Sequence, residues 1–254
     1  MTGEGLPAAL SGVDVAYFLI HSMEPATGPF AARENEAARR FGEAARAAGV
    51  RRIVYLGGPV PEGGPASEHL ASRLSVERTL LDAVPDSVAL RASILIGARS
   101  RSFRFLVRLV ERLPVMVIPG WGANRSAPID ERDILTMLVR AADADVGGGA
   151  LDAAGPEVVS YRELITRISD LMLVNRPTVG LGRLTVTPIA SRVAAAVAGE
   201  SPELVGPLME SLETDLLPST TLASESLMVK LHALDAAIEH ALREWERTDR
   251  LAAR

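Results

Sequence analysis

The chain has 254 residues, enough for one large domain or two small ones, and a core of that size needs no disulfide or metal to hold it together. Hydrophobic residues make up 48% and charged residues 23%, which is typical of a globular protein. The 27 basic and 32 acidic residues give a net charge of −5, which argues against a nucleic-acid coat or a polybasic membrane binder. The sequence has no cysteine, so disulfides, thiolate metal sites and cysteine nucleophiles are excluded.

The sequence predicts neither a signal peptide nor a membrane-spanning segment. Residues 1–10 show no basic segment followed by an apolar one, and the longest apolar runs fall far short of the roughly 20 residues that span a membrane. Lys230 is the only lysine, and no glycine-rich loop precedes it, so a phosphate-binding Walker A loop is absent. We expect a cytoplasmic protein that contacts neither nucleic acid nor membrane.

The first hundred residues alternate between apolar runs rich in β-formers and helical patterns. The predicted elements are a strand at 13–20, a helix at 29–48, a strand at 52–56, a helix at 68–81 that Ser67 caps, and a strand at 87–96. Gly49 suits the left-handed position just past the first helix. This alternation predicts right-handed βαβ units and a parallel sheet.

After Gly97 the pattern loosens. It predicts a helix at 103–113, a short strand at 115–118, a helix to Ala142 that Asp130 or Asp133 caps, a strand at 150–154, a helix from Ser160 to Leu173 and mostly helix from Ala190 onward. The expected fold class is therefore α/β. Residues 1–112 are expected to form the C-terminal part of a Rossmann-like domain with a parallel sheet, and residues 113–254 a smaller, mixed and mainly helical substrate-side region.

Several segments resemble one known family when they are taken in order. They are residues 14–23 (DVAYFLIHSM), 47–58 (AAGVRRIVYLGG), 69–73 (HLASR), 90–97 (LRASILIG), 113–116 (LPVM), 160–163 (SYRE) and 207–212 (PLMESL). Their order and spacing resemble the atypical short-chain dehydrogenase/reductase family, above all its NmrA-like, NAD(P)H-binding branch. The resemblance covers nearly the whole chain. It implies a Rossmann-like domain, an NAD(P)H cofactor and an oxidoreductase acting on an unknown small molecule.

The family's glycine-rich dinucleotide motif has no counterpart here. In that family it lies in the first strand and helix, where backbone N–H groups hold the pyrophosphate. No G-x-G-x-x-G follows a strand in this sequence. The resemblance therefore implies that the chain lacks the family's first three strands and binds NAD(P)H poorly. It also implies that residues 15–20 form an exposed strand edge, so that the chain self-associates through it, borrows a covering segment or aggregates. Phe18→Lys is then expected to shift the population toward monomer.

The redox members of the family use a tyrosine four residues before a lysine, and no such pair exists in this sequence. By resemblance, His69 takes the tyrosine position and Arg73 the lysine position, with Gly57 or Gly58 where a serine or threonine would stand. Histidine can transfer a proton, whereas arginine stays protonated and can only orient or bind. Three interpretations remain open: catalysis by His69 and Arg73, contact with a cofactor or ligand, and an ordinary capping-region histidine with a surface arginine.

Other residues are candidates for cofactor contact by the same resemblance. His21 and Ser22 follow the first strand, Gly57 and Gly58 follow the second, and Ala92, Ser93 and Ile94 correspond to the loop against the nicotinamide. The ordinary alternatives are a polar strand cap and a buried strand. The four histidines show no metal-ligand spacing, so no metal is predicted.

Two further hypotheses about function stay open beside the oxidoreductase. One is a non-enzymatic redox sensor or scaffold, and the other is a truncated, inactive fragment. For the oxidoreductase and for the sensor or scaffold, the expected partner is a nucleotide cofactor or another small molecule.

Overall fold

The computed structural model describes residues 5–20, 30–65, 67–143, 145–174, 176–180, 212–249 and 251. The helices are α1 (Leu6–Leu10), α2 (Phe30–Ala47), α3 (Glu68–Ala83), α4 (Arg101–Arg112), α5 (Glu131–Ala141), α6 (Tyr161–Leu171), α7 (Ala223–Ser226) and α8 (Leu234–Glu246), with a 3₁₀ turn at Gly120–Ala123. The strands are β1 (Val15–Phe18), β2 (Arg52–Gly57), β3 (Val88–Ala92), β4 (Leu95–Ile96), β5 (Met116–Ile118), β6 (Arg125–Ser126), β7 (Ile129–Asp130), β8 (Gly149–Ala153), β9 (Val159–Ser160) and β10 (Thr178–Gly180). In the ranges given above, no helix combines the length and the apolar character that crossing a bilayer requires.

Four strands form the main sheet in the order β1-β2-β3-β8, and every pair in it is parallel. Gly57 lies opposite Arg91, and Ala92 lies opposite Ala153. The predicted α/β class with a parallel sheet is therefore confirmed. Because the strands run the same way, their last residues meet at one edge of the sheet, which we call the carboxyl edge.

One face of this sheet is covered by α2 and α3, and the alternation along β1 shows which side chains reach that core. Phe18 is buried there, and its ring centroid lies 5.2 Å from that of Phe41. Tyr17 and Leu19 point the other way and are 42% and 52% exposed. Phe18→Lys would bury a charge rather than blunt an edge, so the choice of position 18 is corrected to Leu19.

The local signals for helix ends are confirmed. The hydroxyl of Ser67 accepts a hydrogen bond from the Leu70 N–H at 3.2 Å at the start of α3. The hydroxyl of Ser160 accepts one from the Glu163 N–H at 3.1 Å at the start of α6. Gly49, just past α2, has φ +73°, the left-handed conformation that glycine adopts without strain.

The predicted strand at 87–96 proved to be two strands. β3 belongs to the main sheet, whereas β4 pairs in parallel with β7 in a separate two-stranded sheet. Between them the Ile94 carbonyl accepts a hydrogen bond from the Ile129 N–H at 3.0 Å. A continuous apolar run carries no sign of such a change of partner, which explains why the sequence predicted a single strand.

By packing, the chain forms two compact units. The first contains Met1–Ala92, Ile134–Ala153 and Pro218–Val229, and the second contains Ser93–Asp133, Ala154–Leu217 and Lys230–Arg254. The second unit has its own apolar core, to which α4, α6 and α8 contribute Phe103, Tyr161 and Trp245. The domain boundary predicted after residue 112 stays a prediction, because a compact unit need not be a domain that folds by itself.

Candidate functional site

The carboxyl edge of the first unit is closely packed where β2 ends. A Cβ on Gly58 would lie 2.9 Å from Cδ2 of Leu70 on α3, and one on Gly57 would lie 2.8 Å from Cε1 of Tyr55. Real Cβ contacts are longer, so a side chain at either position would require the Leu70 side chain or the Tyr55 ring to shift. The two glycines thus have a packing role that is independent of any ligand.

Arg73 is fixed beside these glycines. Its guanidinium donates a hydrogen bond to the Leu56 carbonyl and lies 5.3 Å from the centroid of the Tyr55 ring, a cation–π contact. The Tyr55 hydroxyl donates in turn to the Arg73 carbonyl at 3.3 Å. The result is a held positive charge at the end of β2, which can attract an anion but cannot give up a proton.

His69 lies one turn before Arg73 on α3 and is half-buried. Burial raises the pKa of Tyr55 to about 12, although the charge of Arg73 acts in the opposite direction. Burial also raises the pKa of Tyr161 in the second unit. Neither phenol is thus suited to proton transfer at neutral pH. Among the described residues at this edge, His69 has a side chain of a type that can transfer a proton there.

Sequence reasoning missed a buried ion pair near the same edge. Arg91 on β3 donates to both carboxylate oxygens of Glu77 on α3, at 2.9 and 2.6 Å. This bonding raises the pKa of Arg91, and burial acts against it. The available signal was an arginine inside an otherwise apolar predicted strand, which calls for a buried acidic partner.

A second missed residue is Asp152 near the end of β8. It is buried, and one carboxylate oxygen accepts the backbone N–H groups of Ser219 and Thr220, both at 2.5 Å. The Ser219 hydroxyl donates to the Val60 carbonyl at 3.0 Å, so this loop is anchored at the carboxyl edge. An acidic residue inside a predicted strand was the signal for it.

The structure does not test the remaining predicted contact residues. His21 and Ser22 lie outside the described residues. Ala92 ends β3 in the first unit, whereas Ser93 and Ile94 belong to the second. Their roles in cofactor binding stay predictions.

The Ser93 hydroxyl already has two hydrogen-bond partners. It donates to the Ala127 carbonyl at 3.3 Å and accepts from the Ser126 hydroxyl at 3.0 Å. These bonds tie the segment after β3 to the segment around β6. Ser93 therefore has a structural role whether or not a ligand is bound.

A dinucleotide needs more than this edge provides. Its pyrophosphate is held by N–H groups of a glycine-rich turn that leads from a strand directly into a helix. In the described ranges, the left-handed glycines between a strand and a helix are Gly63 and Gly64, and Ser67 rather than either glycine caps α3. None of the strand-to-helix turns that the structure describes is of this kind, and residues 21–29, between β1 and α2, lie outside the described residues.

The second unit holds a different polar group, the Glu–His–Glu cluster of Glu131, His240 and Glu244. Glu131 begins α5, His240 and Glu244 lie one turn apart on α8, and one ligand atom from each lies within 4.8 Å of the others. Burial raises the pKa of the Glu131 carboxyl to about 7, and the Glu244 carboxyl is the next cause. Sequence reasoning missed this cluster because its members lie on helices far apart in the chain.

The overall fold is shared with solved structures of an epimerase, a reductase and a protein complexed with NADPH. A nucleoside-diphosphate-sugar epimerase from Staphylococcus aureus is 13% identical with a TM-score of 0.73, covering 94% of this chain and 80% of that one. The triphenylmethane reductase of Citrobacter sp., complexed with NADP(H), is 15% identical with a TM-score of 0.70 and the same coverage. RMD from Pseudomonas aeruginosa, complexed with NADPH, is 14% identical with a TM-score of 0.65, covering 95% of this chain and 86% of that one.

At identities this low the likeness shows a shared Rossmann-like fold and nothing finer. No protein-family model and no curated protein matches the chain.

Proposed function

We propose that the chain is an NAD(P)H-type oxidoreductase related to the NmrA-like branch of the atypical short-chain dehydrogenases, with its ligand site at the carboxyl edge of the first unit. The observation that carries this proposal is the guanidinium of Arg73, held beside Gly57 and Gly58 at the end of β2. Open parallel sheets bind ligands at this edge. Two similar structures are complexes with NADP(H) and NADPH, which supports a nicotinamide nucleotide as the ligand class.

In this proposal Arg73 binds an anionic or hydroxyl-bearing part of the ligand, and His69, one turn away, contacts it from the same surface of α3. No pyrophosphate cradle exists among the described residues, so binding to this chain is weak. We expect NADPH and NADH to bind with a Kd above about 100 μM, which corresponds to less than roughly 5.5 kcal/mol. The proposed location is the cytoplasm.

A second candidate is a sensor or scaffold that binds a nucleotide without turning it over. The same arginine favours this candidate. Arg73 stands at the position of the family's lysine, but it stays protonated and cannot take part in proton exchange. Gly57 and Gly58 also offer no hydroxyl. The tyrosine–lysine relay therefore has no counterpart among these residues.

Titration of the chain with NADPH and with NADH, followed by ligand-detected NMR, tests the site. The wild type should bind with a Kd above about 100 μM, and Arg73→Ala should weaken binding by a further tenfold or more. Arg78→Ala is the matched control, since Arg78 is an exposed arginine on the same helix. Micromolar binding would refute the expected weakness, and equal binding by the two variants would refute the site.

Turnover separates the enzyme from the sensor. On a panel of carbonyls and quinones with NADPH, His69→Ala and Arg73→Ala should each change kcat by less than about tenfold, or 1.4 kcal/mol. Circular dichroism checks that the variants are folded. A hundredfold loss of kcat in folded His69→Ala would make His69 the proton donor. If the wild type turns over no compound on the panel, the sensor is favoured.

A further inference from the structure

The Glu–His–Glu cluster brings together the donor types that bind transition metals. It offers one imidazole nitrogen and two carboxylate oxygens, all within 4.8 Å of one another. In a tetrahedral zinc site with bonds of 2.0–2.2 Å, ligand atoms lie about 3.4 Å apart. His240 Nε2 lies 3.9 Å from Glu244 Oε2, too long for a hydrogen bond and slightly wider than a pair that shares an ion.

The backbone around the cluster admits Glu131 closely. A Cβ on Gly97, just after β4, would lie 1.7 Å from Oε2 of Glu131. Any other residue at position 97 would displace this carboxylate, so glycine is what allows it to lie against Gly97. The Glu131 carboxylate therefore packs against Gly97 and is positioned as one of the three donors.

The other described histidine of the second unit shows what a satisfied imidazole looks like. His232 Nδ1 lies 2.6 Å from Asp133 Oδ1, and the His232 N–H donates to Asp133 Oδ2 at 2.8 Å. That pair is complete without an ion. The cluster instead sets two carboxylates against each other beside an imidazole, and like charges at contact need a cation or a proton between them.

We propose that Glu131, His240 and Glu244 form a binding site for a divalent transition-metal ion of the Zn²⁺ type. The two carboxylates neutralise its charge, and the imidazole selects it over Mg²⁺ and Ca²⁺, which prefer oxygen ligands. His240 and Glu244 are 41% and 38% exposed, so solvent can supply a fourth ligand. This site does not depend on the function proposed for the first unit.

Two other charged groups act on Glu131, the positive Arg99 and the negative Asp130. The charge of Arg99 opposes a metal ion at the cluster, whereas that of Asp130 favours one. A shared proton between the two carboxyls is the alternative to a metal, and zinc binding distinguishes the two.

Calorimetric titration of the full chain with ZnCl₂ at pH 7.5, after removal of metals with EDTA and exchange of the buffer, tests the site. The wild type should bind one equivalent with a Kd at or below about 10 μM, and 1 mM MgCl₂ should not compete. His240→Ala and Glu131→Gln should each weaken binding at least about tenfold. Glu239→Gln is the control: it removes a carboxylate from the same helix, where Glu239 pairs with Arg243 outside the cluster, and should leave the Kd unchanged within about twofold.

Three results would overturn the proposal. They are the absence of saturable binding up to about 1 mM zinc, unchanged binding in folded His240→Ala, and equal weakening by Glu239→Gln. Circular dichroism establishes that each variant is folded. If His240→Ala does not fold, unchanged zinc binding by folded Glu131→Gln would overturn the proposal instead.

Discussion

One charged pair from each compact unit shows the difference between a completed and an uncompleted group. In the first unit, buried Arg91 faces Glu77, a partner of opposite sign, at 2.6 Å. The second unit also contains pairs of opposite sign, such as Arg132 and Asp130, but there Glu131 and Glu244 set like charges side by side. A buried pair of opposite charges is complete and serves the fold, whereas a like-charged pair needs something further, and this contrast separates structural charges from those available for binding.

The arginine at the carboxyl edge also belongs to a completed group of contacts. Arg73 there is already bonded to the Leu56 carbonyl and stacked on Tyr55, so any ligand would find a charge that the fold holds in place. The Glu–His–Glu cluster has no such completed set of contacts. Of the two places, the first is defined by its position in a shared fold and the second by its own chemistry.

Removal of a buried arginine with all of its hydrogen bonds should have the largest effect on the free energy of unfolding. Arg52 is fully buried, and it donates to the Asp86 carboxylate at 2.8 Å, the Asp86 carbonyl at 2.9 Å and the Ala141 carbonyl at 3.1 Å. Arg52→Met leaves the backbone carbonyls of Asp86 and Ala141 without this donor and should lower the free energy of unfolding by about 3–5 kcal/mol. Urea denaturation at pH 7 measures the change.

Arg51→Ala is the control for that substitution. Arg51 is the neighbouring arginine and meets the same Asp86 at 3.4 Å, but the two side chains are 38% and 45% exposed. Its removal should cost less than about 1 kcal/mol. Equal losses for the two variants would contradict the view that burial makes the charges of the first unit structural.

The like-charged pair should show itself in the pH dependence of stability. The pKa of Glu131 is raised from 4.5 to about 7, so the folded state favours the protonated carboxyl. The stability from this group is present below pH 4.5 and is lost as the pH rises through about 7. In EDTA, Glu131→Gln should match the wild type at pH 5 and exceed it by about 1 kcal/mol at pH 8, since partial exposure screens the effect.

Glu239→Gln serves again as the comparison, measured by denaturation at both pH values. Its exposed ion pair with Arg243 predicts a difference from the wild type that does not change between pH 5 and pH 8. A Glu131→Gln curve parallel to the wild type over this range would show that Glu131 carries no unfavourable charge.

The smallest effect on stability is expected at the edge of the main sheet, where we propose that the chain self-associates. Within the described residues β1 pairs only with β2, and Leu19 just beyond it is 52% exposed. Leu19→Lys should reduce the mass seen by light scattering at about 100 μM while changing the free energy of unfolding by less than about 0.5 kcal/mol. Val139→Lys, an exposed position on α5, should leave the mass unchanged, and a monomeric wild type would refute the association.

The alternation of apolar runs and helical patterns predicted most of the first unit. Ser67 and Ser160 marked helix starts because a side-chain cap is a local interaction that the sequence itself contains. The split of the strand at 87–96 was missed, because β3 and β4 take their partners from distant segments of the chain. Local patterns predict elements, and tertiary pairing decides how they are used.

The two candidate sites differ in the same way, because one could be predicted from the sequence and the other could not. The carboxyl edge was predicted through His69, Arg73 and the glycines, because parallel strands bring their ends together and the resemblance names the positions. The cluster could not be predicted, since Glu131 and the residues of α8 meet only after folding. His240 and Glu244 alone, one turn apart, are an ordinary pair on a helix surface.

The contrast between the two units is tested most directly by locating a bound ion. Crystals of the full chain soaked in ZnCl₂ and measured at the zinc absorption edge should give an anomalous peak between His240 Nε2 and the carboxylates of Glu131 and Glu244. The distances from the peak to these atoms should be about 2.0–2.2 Å. A peak at His232 and Asp133 instead, or no peak at the cluster, would contradict the account.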